Sequence, residues 1–163
     1  MSSEPSIRPV RPEDAADLRE NCFSRNTLEE VQEQVADAIR TAEQGTQVLL
    51  VAEVEGRVVG TGTFLRKTHP FYAHRAEVGG LVVHPRYQRQ GIARQIVAEI
   101  RALAATIGLE ILEVGCRGGT PAEEVYRHLG FVECGRLPGG IVEPYEGGQT
   151  YDEVSFYMPV WEE

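Results

Sequence analysis

One short segment of the chain combines residue types that suit phosphate binding. The segment Gln88–Ala93 (QRQGIA) follows the apolar stretch Val78–Val83 and opens an amphipathic segment, 90–107. That order predicts a strand, a tight loop and a helix N-terminus. Such a loop directs unpaired backbone N–H groups and the positive end of a helix dipole at one point, which favours phosphate or pyrophosphate. Gly91 would allow close approach of the backbone, and Ala93 keeps a nearby position small.

A loop with one glycine is also compatible with a plain connection between a strand and a helix. The dinucleotide fingerprint G-x-G-x-x-G and the G-x-x-x-x-G-K-S/T loop are both missing here. Adjacent glycines at Gly79-Gly80, inside the predicted strand 76–84, favour a β-bulge or a close backbone approach. That pair has the same two interpretations, a bulge beside a ligand or a bulge without one.

Three motifs resemble those of the GCN5-related N-acetyltransferases, the GNAT family. Gln88-x-x-Gly91-x-Ala93 resembles the family's Q/R-x-x-G-x-G/A loop, and 81–85 resembles its fourth strand and the exit from that strand. Downstream, 126–131 resembles its Y-x-x-x-G-F motif. The matches have the family's order and spacing. The sequence motifs lie within residues 76–131. The predicted order of helices and strands resembles that of the family over nearly the whole chain.

The resemblance implies acetyl-CoA as co-substrate. In the family, loop amides bind the pyrophosphate, and the pantetheine arm fills a V-shaped gap beside the fourth strand and pairs with its backbone. An N–H of this strand could also steady the oxyanion formed on the thioester. The expected cofactor-binding residues are therefore Leu81, Val82, Val83, Gln88, Arg89, Gln90, Gly91, Ile92, Ala93 and Arg94.

Tyr126 is the candidate general acid. Attack on a thioester expels a thiolate, which needs a proton donor. A phenol has a pKa of about 10 and an alkyl thiol one of about 8.5, so proton transfer from the phenol to the thiolate is close to balanced. In the family the matching tyrosine has this role. A core aromatic whose hydroxyl finds a partner elsewhere is the alternative.

Glu77 is the candidate general base, because a glutamate at this spacing before the loop has that role in the histone acetyltransferase branch. An ammonium has no lone pair for attack, so a base is needed. A solvated carboxylate at a strand end is the alternative. The three histidines around this strand, His69, His74 and His84, have no metal-ligand spacing and are expected on the surface.

Composition limits the class of protein. A length of 163 residues and an apolar content of 42% predict one soluble domain, 1–163. A net charge of −9 disfavours nucleic acid and anionic membranes as partners. Three scattered cysteines predict reduced thiols without a metal, and the N-terminus lacks a secretion-signal pattern, so a cytoplasmic location is expected. The sequence leaves a homodimer open.

Periodicity and turn residues predict the elements that position these groups. The expected class is α/β (α+β), with a mixed, mostly antiparallel sheet flanked by helices in the order β-α-α-β-β-β-α-β-α-β-β. Ile92, Ile96, Ile100, Leu103 and Ile107 form one apolar stripe of the helix that follows the loop. Thr27 with Glu30, and Thr120 before Pro121, are expected helix caps.

Together these observations predict an acetyl-CoA-dependent N-acetyltransferase. It would move the acetyl group directly to a primary amine of a small molecule or peptide, without a covalent intermediate or metal. The competing hypothesis is a non-catalytic module that binds or senses acyl-CoA on the same fold.

Overall fold

The computed structural model describes residues 4–145 and 147–161. Within them, strands and α-helices follow in the order β1 (Ser6–Pro9), α1 (Ala15–Asn21), α2 (Leu28–Glu43), β2 (Gln47–Val54), β3 (Arg57–Arg66), β4 (Arg75–Val83), α3 (Ile92–Thr106), β5 (Ile111–Arg117), α4 (Ala122–His128), β6 (Val132–Val142) and β7 (Thr150–Pro159). Short 3-10 turns precede α1 and α3, at Pro12–Asp14 and Pro85–Tyr87. The predicted element order is confirmed.

All strands join one sheet in the order β1-β2-β3-β4-β5-β7-β6. Every neighbouring pair is antiparallel except β4 and β5, which are parallel because α3 provides the crossover between them. Their pairing covers only Arg75–Glu77 against Ile111–Glu113. Beyond that point the two strands part, so the sheet opens at the carboxyl ends of β4 and β5.

Helices cover the sheet on both faces. On one face α3 packs over a core that includes the fully buried Ile96, Ile100 and Phe156. On the other, α1 and α2 pack against β2 and β3 through a second cluster that includes Leu18 and Val31. The apolar stripe predicted for α3 is buried at its first three positions. Ile107 is 44% exposed instead, because α3 ends at Thr106.

The two predicted helix caps have different outcomes. The Thr27 hydroxyl accepts the Glu30 N–H at 3.1 Å, and the Glu30 carboxylate accepts the Thr27 N–H at 3.0 Å. The cap predicted at Thr120 is wrong, because that hydroxyl donates to the Arg117 carbonyl at 2.7 Å and caps no helix N–H.

The last hairpin is longer than the sequence pattern indicates. Residues 138–140, Pro-Gly-Gly, read as a loop, but β6 continues through them to Val142. A register shift between Leu137 and Ile141 accommodates them. This is tolerated because β6 is an edge strand, so Pro138 can lack an N–H without leaving a neighbouring strand unpaired.

Within residues 4–145 and 147–161, no group of three or more His, Cys, Asp or Glu side chains could hold a metal ion. No helix in this part of the chain is long and apolar enough to cross a membrane. Cys22, Cys116 and Cys134 are free thiols.

Candidate active site

The loop between β4 and α3 has the backbone geometry of an anion site. Arg89 and Gly91 both adopt left-handed conformations, with φ of 62° and 83°. Gly91 is the N-cap of α3 and contributes no capping side chain. The first amides of a helix have no intrahelical acceptor, so the N–H groups at the start of α3 stay available to a ligand.

The two glutamines of the loop brace the backbone. Gln88 Nε2 donates to the Val83 carbonyl at 2.9 Å, which ties the loop to the end of β4. Gln90 Nε2 donates to the Arg86 carbonyl at 3.2 Å. In this structure the glutamine of the motif therefore holds the loop in shape through its side chain.

A cavity of about 650 Å³ adjoins this loop, and we refer to it as the cofactor cavity. Its lining residues come from β4, the loop, the start of α3 and α4: Leu81, Val82, Val83, Tyr87, Gln88, Arg89, Gly91, Ile92, Ala93, Arg94, Pro121, Ala122, Val125, Tyr126, His128 and Leu129. Nine of the ten predicted cofactor-binding residues are among them, and Gln90 is not. None of these lining residues is a carboxylate, although the chain carries 25 acidic residues.

The glycine pair in β4 forms a bulge, as predicted. Thr61 pairs with Val82, and Thr63 pairs with Gly79, so Gly80 and Leu81 together oppose one residue of β3. Gly80 has a φ of 56°, which glycine adopts without strain. The bulge lies just past the last residue that pairs with β5, where the sheet opens.

α4 places the Tyr126 side chain in the cofactor cavity. Its ring packs edge-on against Phe131, with centroids 5.9 Å apart, and near Phe156 at 6.0 Å. Burial, together with the nearby Cys116, raises the pKa of the Tyr126 hydroxyl above its usual value. Among the described residues this hydroxyl has no hydrogen-bond partner. It therefore remains a protonated donor that faces the cavity.

Glu77 lies outside the cofactor cavity. Its neighbours in β4, Ala76 and Val78, are buried under α3, so the exposed Glu77 side chain belongs to the opposite face of the sheet. It stands opposite Glu113, at the last paired position before β4 and β5 part. Glu113 is engaged by Arg75 through two short hydrogen bonds. Glu77 therefore lies where β4 and β5 begin to part, on the face of the sheet opposite α3.

The α4 wall of the cavity, apart from Tyr126, was not predicted. This wall is formed by Ala122, Val125 and Leu129. Their helical spacing is the sequence signal that could have indicated an apolar face. Val125 is exposed although it is apolar, as expected of a residue that lines an open ligand cavity.

Arg94, in the first turn of α3, has a role that the sequence motif does not indicate. Its guanidinium donates to the His128 carbonyl at 2.7 Å, at the C-terminus of α4. The start of α3 is thereby fastened to the helix that carries Tyr126. A cation is favourable at this end of a helix.

We expect Arg94→Gln to affect turnover more than cofactor affinity. Loss of the bond to His128 would let α4 shift, and misplacement of a catalytic group lowers the rate. Turnover should fall by about three- to tenfold, as expected for a hydrogen bond worth about 1 kcal/mol. Arg86→Gln is the control, because Arg86 is an exposed arginine that does not line the cavity. A larger loss of affinity than of turnover in Arg94→Gln would mean that the guanidinium binds phosphate instead.

Comparison with known proteins agrees with this geometry. The sequence model of the acetyltransferase (GNAT) family matches residues 13–131. Among solved structures, a putative acetyltransferase from Salmonella typhimurium with its cofactor acetyl-CoA superposes with a TM-score of 0.81 at 19% identity, covering 99% of this chain and 96% of that one. Ribosomal-protein-alanine N-acetyltransferase from Brucella melitensis gives 0.78 at 22%, covering 94% and 99%.

A third structure, a phosphinothricin acetyltransferase from Sinorhizobium meliloti in complex with acetyl-CoA, gives a TM-score of 0.77 at 16% identity, covering 95% of this chain and 88% of that one. At these identities the superpositions establish the fold. The sequence match spans most of the chain, including the loop, the bulged strand and the Tyr126 segment. This protein therefore belongs to the acetyltransferase (GNAT) family.

Proposed function

We propose that this protein transfers the acetyl group of acetyl-CoA directly to a primary amine of a small molecule or peptide. The observation that carries the proposal is the Tyr126 hydroxyl, a protonated donor that has no hydrogen-bond partner among the described residues, on a residue that lines a cavity ending at a helix N-terminus. One cavity thus offers an anion site and a proton donor. Residues 1–163 would act as one catalytic domain.

Cofactor binding would use backbone groups at both ends of the cavity. The amides at the start of α3 would bind the pyrophosphate, because they are unpaired and lie at the positive end of the helix dipole. The bulge and the parting of β4 from β5 leave the backbone of Leu81–Val83 without a β5 partner. An extended pantetheine arm could pair with that backbone as a further strand would.

The reaction would proceed in a ternary complex. The amine nitrogen forms a bond to the acyl carbon, the carbon–sulfur bond breaks, and the departing thiolate takes a proton from Tyr126. Before the attack the ammonium loses one proton to Glu77, directly or through a water. The second proton, which the nitrogen loses after the attack, returns through water to Tyr126. The location of Glu77 supports this division of roles, because the amine and the cofactor would then enter the opening from opposite faces of the sheet.

Thiol release tests the proposal. Purified protein with acetyl-CoA should release free coenzyme A with at least one member of a panel of primary amines, and the acetylated amine should appear in equal amount by mass spectrometry. Acetyl-CoA binding by calorimetry without turnover on small amines and peptide N-termini would instead favour the non-catalytic acyl-CoA module.

Glu77→Gln should lower the rate most at low pH. The free amine is scarce there, so removal of the proton from the ammonium contributes most to the barrier. The measurement is the pH–rate profile of kcat/KM with the best amine of the panel. Glu99→Gln, which removes an exposed carboxylate of α3, is the control. Superimposable profiles for Glu77→Gln and the parent would leave Glu77 as a solvated strand residue.

A further inference from the structure

The helix that carries Tyr126 has little hydrophobic anchoring. α4 is seven residues long, and none of its side chains is fully buried. Tyr126 packs against the core only in part, as do Ala122 and Leu129 at the start and just past the end of the helix. A helix this short is unstable on its own in water, so contacts with the rest of the protein must hold it in place.

Four charged side chains connect α4 to the edge strand β6, and we refer to them as the charge network. Glu123 and Arg127 belong to α4, and Glu133 and Arg136 belong to β6. Arg136 donates to Glu123 at 2.7 Å and to Glu133 at 3.3 Å. Arg127 donates to Glu133 at 2.8 Å and to Glu123 at 3.3 Å. Each arginine thus contacts both glutamates, and such a network holds its members more firmly than an isolated surface ion pair.

A β-bulge in β6 makes the charge network possible. Residues three positions apart in a regular strand point to opposite faces of the sheet. In β6 an extra residue, Cys134, shifts the register, so Glu133 pairs with Phe156 and Arg136 pairs with Val154. Phe156 and Val154 are two positions apart in β7 and are buried in the same core cluster. Both charged side chains of β6 therefore face α4, in keeping with the use of bulges to redirect side chains near active sites.

Glu123 is the most enclosed member of the charge network. Its side chain is 13% exposed, whereas those of the other three members are 36–39% exposed. Its carboxylate also accepts the Gly119 N–H at 2.6 Å, in the turn between β5 and α4. The Gly119 amide and the Arg136 guanidinium lower the pKa of this carboxyl, so it stays ionised at neutral pH. One carboxylate therefore links the turn, the first turn of α4 and the edge strand.

The charge network lies close to Tyr126 along two short paths. Tyr126 follows Glu123 by three residues, so the two side chains are neighbours on the helix surface. The Arg127 guanidinium lies over the Phe156 ring at 5.6 Å, and the Tyr126 ring packs near the same phenylalanine. Burial and the nearby Cys116 raise the pKa of the Tyr126 hydroxyl, and the network charges do not contribute to this shift. The network therefore affects where the phenol is held more than how acidic it is.

We propose that the charge network positions the general acid. It holds the start of α4 against β6 so that the Tyr126 hydroxyl faces the cofactor cavity, while the bond from Arg94 holds the other end of the helix. Arg136 is then a positioning residue, since it acts through α4 and does not line the cofactor cavity. This inference rests on the proposed function, because it requires Tyr126 to act as the general acid.

Arg136→Met should lower kcat roughly three- to tenfold, as expected for loss of half-exposed ion pairs from a network. The KM for acetyl-CoA should stay near the parental value, because the residues that line the cofactor cavity are unchanged. Arg40→Met is the matched control and should leave kcat unchanged, since it removes an arginine paired with Asp37 at 2.8 Å on α2, on the other face of the sheet. A raised KM with an unchanged kcat in Arg136→Met would overturn the positioning role.

A double-mutant cycle tests whether Arg136 acts through Tyr126. In the Tyr126→Phe background the hydroxyl is absent, so Arg136→Met should cause no further loss of kcat. Glu133→Gln removes a charge from the same network and should likewise lower kcat in the parent and leave it unchanged in the Tyr126→Phe background. A purely structural effect would instead lower kcat by the same factor in both backgrounds.

The outcomes separate this inference from the proposed function. Equal losses of kcat in the two backgrounds would mean that the charge network acts apart from Tyr126, so the positioning role fails and the proposed function stands. Near-parental turnover in Tyr126→Phe would remove the general acid and the positioning role together. If the parent protein acetylates no amine of the panel, the proposed function fails and the positioning role fails with it.

Discussion

Tyr126→Phe is expected to lower turnover by roughly 10²- to 10⁴-fold, the usual range for loss of general acid catalysis. The substitution removes the hydroxyl and leaves the ring between Phe131 and Phe156. Acetyl-CoA affinity and thermal stability should change little, because the hydroxyl has no hydrogen-bond partner among the described residues. Steady-state kinetics with the best acceptor, calorimetry and a thermal melt would measure the three quantities.

The pH dependence gives an independent check on Tyr126. A general acid works in its protonated form, and burial raises the pKa of this phenol above its usual value. Deprotonation of Tyr126 should therefore begin to lower the rate only at a higher pH than it would for an unperturbed phenol. Near-parental turnover in Tyr126→Phe would show that water or another group protonates the thiolate.

Gly91→Glu is expected to weaken acetyl-CoA binding by more than tenfold, or about 1.4 kcal/mol. Two effects add at this position. A carboxylate at the N-cap of α3 would compete with the pyrophosphate for the same amides and repel its charge. A side chain would also have to adopt a φ of 83°, which costs about 1 kcal/mol in L residues.

Gly108→Glu is a closely matched control for this experiment. Gly108 follows the other end of α3, has a φ of 79° and, like Gly91, has open space where a Cβ would be. The backbone strain and the added charge are therefore equivalent, and only the distance from the loop differs. Equal affinities of the two variants for acetyl-CoA, measured by calorimetry, would rule out the phosphate site at the start of α3.

The reaction class and the order of elements are readable from the sequence because their signals are local. The loop Gln88–Ala93, the bulge at Gly79-Gly80 and the helical stripe of α3 each occupy one contiguous segment. Backbone preferences and periodicity act over that range.

The ends of strands and helices were harder to predict from the sequence. The Pro-Gly-Gly segment in β6 has loop composition, and only pairing with β7 across a register shift makes it part of a strand. The cap predicted at Thr120 failed because the Arg117 carbonyl lies within reach of that hydroxyl. In the first case pairing with another strand outweighed the local preference, and in the second a carbonyl three residues away took the hydroxyl.

Side-chain partners at the site depended on the tertiary structure. The bond from Arg94 to His128 joins residues 34 positions apart, so no spacing rule indicates it. A further cavity on the outer side of α3 combines residues of that helix with Leu129 and Trp161, which only packing brings together. The sequence by itself determined the element order and predicted a phosphate-binding loop and a candidate acid, because backbone conformation is encoded locally. The tertiary structure decided which side chains face each other across the cavities, because that depends on how separate elements pack.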